Sequence, residues 1–260
     1  MIVRHCFLDY PYEVTVSVTA ETQRIEEIAQ VIRAQPNVMV CTKTIGRYNL
    51  FCLIVARNTT EIDWQTQKIK NISGVLGTAI NLWVDEPFNK DLNNGRFVEK
   101  PKLGEIDRKI IDELMTDCRM PCTKIAQKLG VANETVRYKI KEMRQNGVIR
   151  ACTITVDWSK FGYQGTLFAL ISINPSSDIF AIISKLLSIP RFFVVQKVMG
   201  LYDIFALSEV KDLKDLARII HSVQDIPGIR QIDISIASFT YFSYNPVPKT
   251  SIQSNDSEIY

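Results

Sequence analysis

Apolar and polar positions along the chain fall into two similar blocks separated by a third pattern. In the later block, residues 166–173 (TLFALISI) form an apolar run of strand composition, and 178–188 have helical spacing with Pro190 just beyond. Residues 192–200 and 203–210 read as strands joined at Gly200-Leu201-Tyr202. Residues 213–225 read as an amphipathic helix, and Pro227-Gly228 turns the chain into a last strand over 229–238. The order is β-α-β-β-α-β, the unit of an antiparallel sheet with two helices on one face. Residues 13–84 give the same order.

The blocks superimpose without a gap. Residues 24–84 lie on 178–238 at a constant offset of 154, and 12 of those 61 positions are identical. Gly46/Gly200 and Gly74/Gly228 are among them, so turns align as well as helices. Helices on one side leave the other face of each sheet to be covered. Phe168, Leu170, Phe192, Val194, Ile234 and Ile236 are too apolar for a wet face throughout. The expectation is sheet-to-sheet association between the copies or between chains, set against scattered exposed apolar residues.

Between the blocks, residues 86–101 carry linker chemistry, with two prolines and Asn93-Asn94-Gly95. Helical spacing follows at 107–115, 122–129 and 134–146. Asn133 is expected to cap the last of these, and Gly130 and Gly147 to close helices. A tight glycine-containing turn between two short helices is a helix-turn-helix pattern. Asn133, Glu134, Thr135, Arg137, Tyr138, Lys139, Lys141 and Arg144 lie at or off the buried stripe of the second helix, where Arg and Lys suit guanine edges and phosphates. A solvated basic face on a structural bundle is the alternative.

Charge bears on that choice. The whole chain of 260 residues is nearly neutral at +3. Residues 95–150 hold 13 Lys/Arg and 8 Asp/Glu, however, so the middle segment alone is basic. Composition adds exclusions. Hydrophobic residues are 46% and charged residues 23%, which suits a folded, soluble, cytoplasmic chain. The six cysteines make no C-x-x-C pair and read as reduced thiols. With two histidines, His5 and His221, neither beside a cysteine cluster, no metal, cofactor or catalytic constellation is expected.

Residues 103–111, 123–131, 135–143 and 147–150 resemble the DNA-binding domain of Lrp/AsnC transcription regulators. Residues 165–241 resemble that family's ligand-sensing domain, including its Gly-x-Tyr-Asp turn at Gly200, Tyr202 and Asp203. The repeat and the resemblance together give an expected α+β chain with two ferredoxin-like βαββαβ domains flanking a winged helix-turn-helix. The resemblance also implies a non-enzymatic regulator of promoter DNA, acting as a homodimer or higher oligomer and tuned by a small effector such as an amino acid. Gly200, Tyr202 and Asp203 are the implied effector contacts; a hairpin turn where tyrosine packs and aspartate caps is the other reading. A sensor or assembly partner that reads no DNA is the alternative function.

The expected domains are 1–88, a linker at 89–101, the helix-turn-helix at 102–152, a second sensing domain at 153–244 and a disordered tail at 245–260. The extra copy before the helix-turn-helix departs from the family pattern, and its turn reads Gly46-Arg47-Tyr48-Asn49. Residues 2–6 also resemble 148–152. That hints at a duplicated ancestor that lost one DNA-binding module, or at a start codon placed too far downstream.

Overall fold

A computed structural model describes residues 2–3, 10–84, 103–151 and 158–238. The expected linker, the tail, His5, Cys6 and Cys152 lie outside the described residues. The strands are β1 (Ile2–Val3), β2 (Tyr12–Ala20), β3 (Val38–Lys43), β4 (Ile45–Gly46), β5 (Leu50–Ala56) and β6 (Val75–Trp83). After these come β7 (Ile149–Ala151), β8 (Gly165–Ile173), β9 (Phe192–Gly200), β10 (Ile204–Val210) and β11 (Ile229–Ala237). The helices are α1 (Ile25–Arg33), α2 (Thr59–Lys70), α3 (Glu105–Thr116), α4 (Cys122–Leu129), α5 (Asn133–Gln145), α6 (Ile179–Ser188) and α7 (Leu213–Gln224).

The chain forms two compact units. One holds α3, α4, α5, β1 and β7; the other holds both copies of the repeat. In the first, α3 to α5 bury Ile110, Ile111, Leu114, Ile125, Ala126, Val136, Ile140 and Met143. Gly130 ends α4 at φ +65° and Gly147 follows α5 at φ +70°, backbone positions where a Cβ is disfavoured. The cap of α5 is corrected: Ala132, not Asn133, holds the extended N-cap position, and Asn133 is the first helical residue. Asn133 Oδ1 is buried and bonds to no protein group. The like segments at the two ends of this unit pair: β1 runs antiparallel to β7, with Val3 opposite Ile149 and Ile2 opposite Ala151.

In the second unit the strand order is β3-β5-β2-β6-β9-β10-β8-β11-β4, with antiparallel pairing at every step. Each half is one βαββαβ copy, and the whole fits a duplicated ferredoxin-like arrangement. Since β3 runs through Thr44 into β4, the ladder returns to its first strand and joins the halves along two seams. At one, β6 meets β9 with Asn81 opposite Gly200; at the other, β11 meets β4 with Ser235 opposite Gly46. These two pairs are each other's equivalents at the offset of 154. The correspondence reaches the backbone: Asn37 and Arg191, equivalent residues, both take positive φ, at 69° and 80°.

Each half has its own core under its helices. Val14, Val16, Val18, Ile28, Ile32, Leu50, Cys52 and Ile54 fill one, and Leu167, Ala169, Ile171, Ile182, Leu186, Phe192, Ile204 and Ala206 the other. A third core lies between the sheets, made of Tyr48, Phe51, Ala79, Phe168, Leu170, Val198, Tyr202, Phe205 and Ala237. The expected sheet-to-sheet association therefore occurs within one chain. Its membership is corrected. Phe168, Leu170 and Val194 face the partner sheet, whereas Phe192, Ile234 and Ile236 pack on the helix side. On β9 the cause is a bulge that breaks the register between Val194 and Phe192; on β11, alternation puts Asp233, Ser235 and Ala237 on the opposite face to Ile234 and Ile236.

Candidate nucleic-acid interface and the paired turns

The exposed face of α5 carries Glu134, Arg137, Tyr138, Lys141 and Arg144, with Thr135 half-buried among them. The opposite face is anchored by Val136, Ile140 and Met143. Arg137 and Lys141 are one turn apart and project together. Glu134 lies in the first turn, where a carboxylate complements the helix dipole.

Lys139 is engaged elsewhere. Its Nζ stands 3.4 Å from both carboxylate oxygens of Asp107 on α3 and 3.5 Å from Glu142. Burial pulls its pKa down, but the two carboxylates outweigh that and hold it above the usual lysine range. Asp107 also accepts the backbone N–H of Gly104 at 2.9 Å, which closes the start of α3. Lys139 thus links α5 to the capping residue of α3. Lys128 does similar work for α4, with its Nζ 2.5 Å from Glu113 of α3.

In the other unit, Gly200, Tyr202 and Asp203 are brought together, and each is held by structure. A Cβ on Gly200 would stand 2.2 Å from the carbonyl oxygen of Ile80 across the seam; one on Gly46 would stand 2.3 Å from that of Ile234. Both glycines are needed for the strands to close. Tyr202 is buried in the inter-sheet core, and its N–H donates to Asn81 Oδ1 at 3.1 Å. Tyr48 mirrors this, donating its N–H to Ser235 Oγ at 3.3 Å. The two phenol oxygens meet at 2.8 Å, and the Tyr202 hydroxyl donates to Asp233 Oδ2 at 2.5 Å. Tyr48 is then the donor between the rings. Burial, together with the bonds to Asp233 and Tyr48, pushes the Tyr202 phenol well above its ordinary range.

Asp203 Oδ2 accepts the N–H of Ile173 at 2.8 Å, tying the turn to β8. At the equivalent place, Asn49 donates Nδ2 to Ala20 O at 2.6 Å and accepts Ala20 N–H at 2.8 Å. An amide satisfies both of those backbone groups, whereas an ionised carboxylate accepts only. Aspartate in one copy and asparagine in the other therefore do the same job, bracing the turn on its neighbouring strand.

Glu209 was missed in the sequence. The signal was a lone carboxylate in the run IFALSEV, where the first copy has Val55. Alternation places Glu209 on the Phe205 and Leu207 side of β10, and it is buried. Burial pushes its pKa up to about 7, although the Thr166 hydroxyl, donating at 3.1 Å, pulls the other way. The folded state therefore holds this proton more tightly than the unfolded chain. Its contribution is intact below about pH 4.5 and is lost as pH rises towards 7, a drop of roughly 2–3 kcal/mol. Glu209→Gln keeps the acceptor and removes the charge. The variant is expected to match the parent near pH 4 and to exceed it by about 2 kcal/mol near pH 8 in urea denaturation. Parallel stability curves for the two proteins would exclude a buried, protonated Glu209.

The model of the AsnC-type helix-turn-helix domain matches residues 103–144, and that of the Lrp/AsnC ligand binding domain matches residues 13–91. The chain thus carries one segment similar to an AsnC-type helix-turn-helix domain and one similar to an Lrp/AsnC ligand binding domain. The ligand-binding match falls on the first copy; the second copy, at 165–241, shares its topology and pairs with it along both seams.

The HTH-type transcriptional regulator FL11 of Pyrococcus abyssi is 39% identical over 71 residues, 27% of this chain and 47% of that protein. Regulatory protein AsnC of Haemophilus influenzae is 30% identical over 76 residues, covering 29% and 51%. The chain spans about half the length of the curated relatives it matches. A solved structure of the siroheme decarboxylase NirDL, bound to an iron-uroporphyrin III analogue, is similar over 91% of this chain and 73% of that one. Its TM-score is 0.66 and its identity 12%, which is a likeness of fold. Among the described residues, no helix is long and apolar enough to cross a membrane.

Proposed function

We propose that the chain is a cytoplasmic, sequence-specific DNA-binding transcription regulator of the Lrp/AsnC type, in which α5 reads the major groove of promoter DNA. The observation that carries this reading is the free face of α5. Arg137, Tyr138, Lys141 and Arg144 are exposed on a helix that the AsnC-type model matches up to residue 144. Asn133, Glu134 and Thr135 sit at the start of that helix, the end that enters the groove in such motifs. Lys139 contributes through position, by fixing α5 on α3.

The described residues hold one helix-turn-helix, so a two-fold operator takes two such units. The finer architecture we assign is two ferredoxin-like domains flanking a winged helix-turn-helix. The two sheets cover each other's open faces inside the chain, so this interface leaves dimer formation to other surfaces. A small effector of the amino-acid type is proposed at the Gly200–Asp203 turn, supported by the ligand-binding match to the equivalent copy.

The test is titration of an upstream DNA fragment at several salt concentrations. Arg137→Ala with Lys141→Ala is expected to weaken binding at least tenfold, since a base-reading arginine alone is worth about 1–3 kcal/mol. The slope of log affinity against log salt is expected to flatten by about one for each lost phosphate contact. Unchanged affinity in a folded double variant would remove α5 from the interface and favour the sensor reading.

The chain is read as non-enzymatic. The third core is aromatic and hydroxylic, and the described histidine, His221, is exposed on α7, outside that core. Carbon dioxide release from a siroheme-type tetrapyrrole would overturn this.

A further inference from the structure

Cys41 and Cys52 face one another in the helix-covered core of the first half. They stand directly opposite on β3 and β5. In the same register, Thr44 N–H donates to Asn49 O at 3.0 Å, which marks that pair as hydrogen-bonded. Counting back by alternation makes Cys41 and Cys52 a non-hydrogen-bonded pair. In such pairs the Cα atoms are about 4.5 Å apart and the side chains approach most closely. Disulfides bridge Cα separations of roughly 4.4–6.8 Å. The two Sγ atoms are already 3.6 Å apart, with the Cys52 thiol directed at Cys41.

The two sulfurs are also chemically unlike. The Cys52 hydrogen bond lowers the Cys41 pKa, helped by the Arg33 guanidinium and opposed by burial and Glu26; the net shift is downward. Arg33 Nε is held there by a 3.2 Å bond to the Cys41 carbonyl. Cys52 is pushed well up by its bond to Cys41 and by burial. Cys41 is therefore the more readily ionised of the two, although its thiol also donates to Ala29 O at 3.8 Å. Cys41 lies on β3, the outer strand of its half, but both thiols are buried, so a small oxidant must reach them through local opening.

We propose that Cys41 and Cys52 are a modification site, a dithiol that hydrogen peroxide oxidises to a cross-strand disulfide. A sulfur lone pair of the Cys41 thiolate attacks one peroxide oxygen. The O–O bond breaks, and the departing hydroxide takes up a proton as water. Cys41 is left as a sulfenic acid. The Cys52 sulfur then attacks the Cys41 sulfur, the S–O bond breaks, and the hydroxyl leaves with the Cys52 proton as a second water. In sum two thiols lose two electrons, and one peroxide is reduced to two waters. A dithiol reductant reverses the bond by exchange.

The experiment uses the full reduced chain. It is exposed to graded peroxide, quenched, alkylated in denaturant, digested and mapped by mass. The expected product is a cross-linked pair of peptides containing Cys41 and Cys52, lighter by two hydrogens, protected from alkylation until dithiothreitol is added. In Cys52→Ala, the expected product is a Cys41 sulfenic acid trapped by dimedone. Full alkylation of Cys41 and Cys52 after a dose that oxidises the half-buried Cys118 or Cys122 would overturn the proposal. So would disulfides joining Cys41 or Cys52 to other cysteines instead. The wild-type map decides the matter even if the variant fails to fold.

Discussion

Gly200→Ala is expected to lower folding stability by roughly 1–3 kcal/mol or more, with no effector present. The added methyl would meet the backbone oxygen of Ile80 at 2.2 Å and Asn81 Cα at 3.0 Å. Neither is the end of a flexible chain, so β6 and β9 must move apart. Gly46→Ala at the other seam is expected to cost more. It meets Ile234 O at 2.3 Å and also forces a Cβ onto a residue at φ +150°. Urea unfolding of both single variants and the double variant measures this.

The outcome also separates two roles for the turn. A glycine kept for close approach of an effector would leave the unliganded stability unchanged and abolish only the ligand response. A glycine kept for the seam destabilises the chain first. In the double variant both edges open, so the two losses are expected to add unless the first opening already releases the second.

How far the sequence disclosed this structure depends on the range of the forces involved. The repeat was legible because offset, period and turn glycines all recur locally. Local periodicity placed the elements of both halves, the three helices between them and the buried stripe of α5 to within a residue or two. The cap of α5 was misplaced by one residue because Asn133 suits either position; the choice rests on the extended backbone of Ala132. Lys139 looked free by helical spacing, since its carboxylate partner Asp107 is 32 residues upstream on another helix.

Phe192 was assigned to the wrong face because one bulge inverts the alternation of β9. The turn at Gly200 was legible as a local motif, but its glycine and tyrosine also meet a strand about 120 residues back in the chain, and local patterns carry no trace of such pairings. Asn49 and Asp203 differ in charge, yet both side chains brace a turn on a strand.

Phe205→Ala is expected to be the most damaging single truncation in the inter-sheet core, at about 3–5 kcal/mol. Phe205 is fully buried on β10. Its ring stacks on Phe51, its equivalent in the other copy, with centroids 5.2 Å apart and planes 7° off parallel. Trp83 and Phe168 lie around it at 5.8 and 6.4 Å. Phe51→Ala is expected to cost a similar amount. The double variant should cost less than the sum, because a stacked aromatic pair carries about 0.5–1.5 kcal/mol of its own that is lost only once.

The helix-covered cores of the two halves do not contain Phe205, so far-ultraviolet circular dichroism at low denaturant should stay close to the parent's. What fails is the joint between the sheets. Each freed sheet then presents Phe168, Leu170 or Phe51 to water, a patch that can be covered by another chain. Phe205→Ala is therefore expected to shift the protein towards higher oligomers in light scattering as its unfolding midpoint falls. A fully stable, unchanged Phe205→Ala would mean that the seams and the Tyr48–Tyr202 contact hold the two halves together without the aromatic stack.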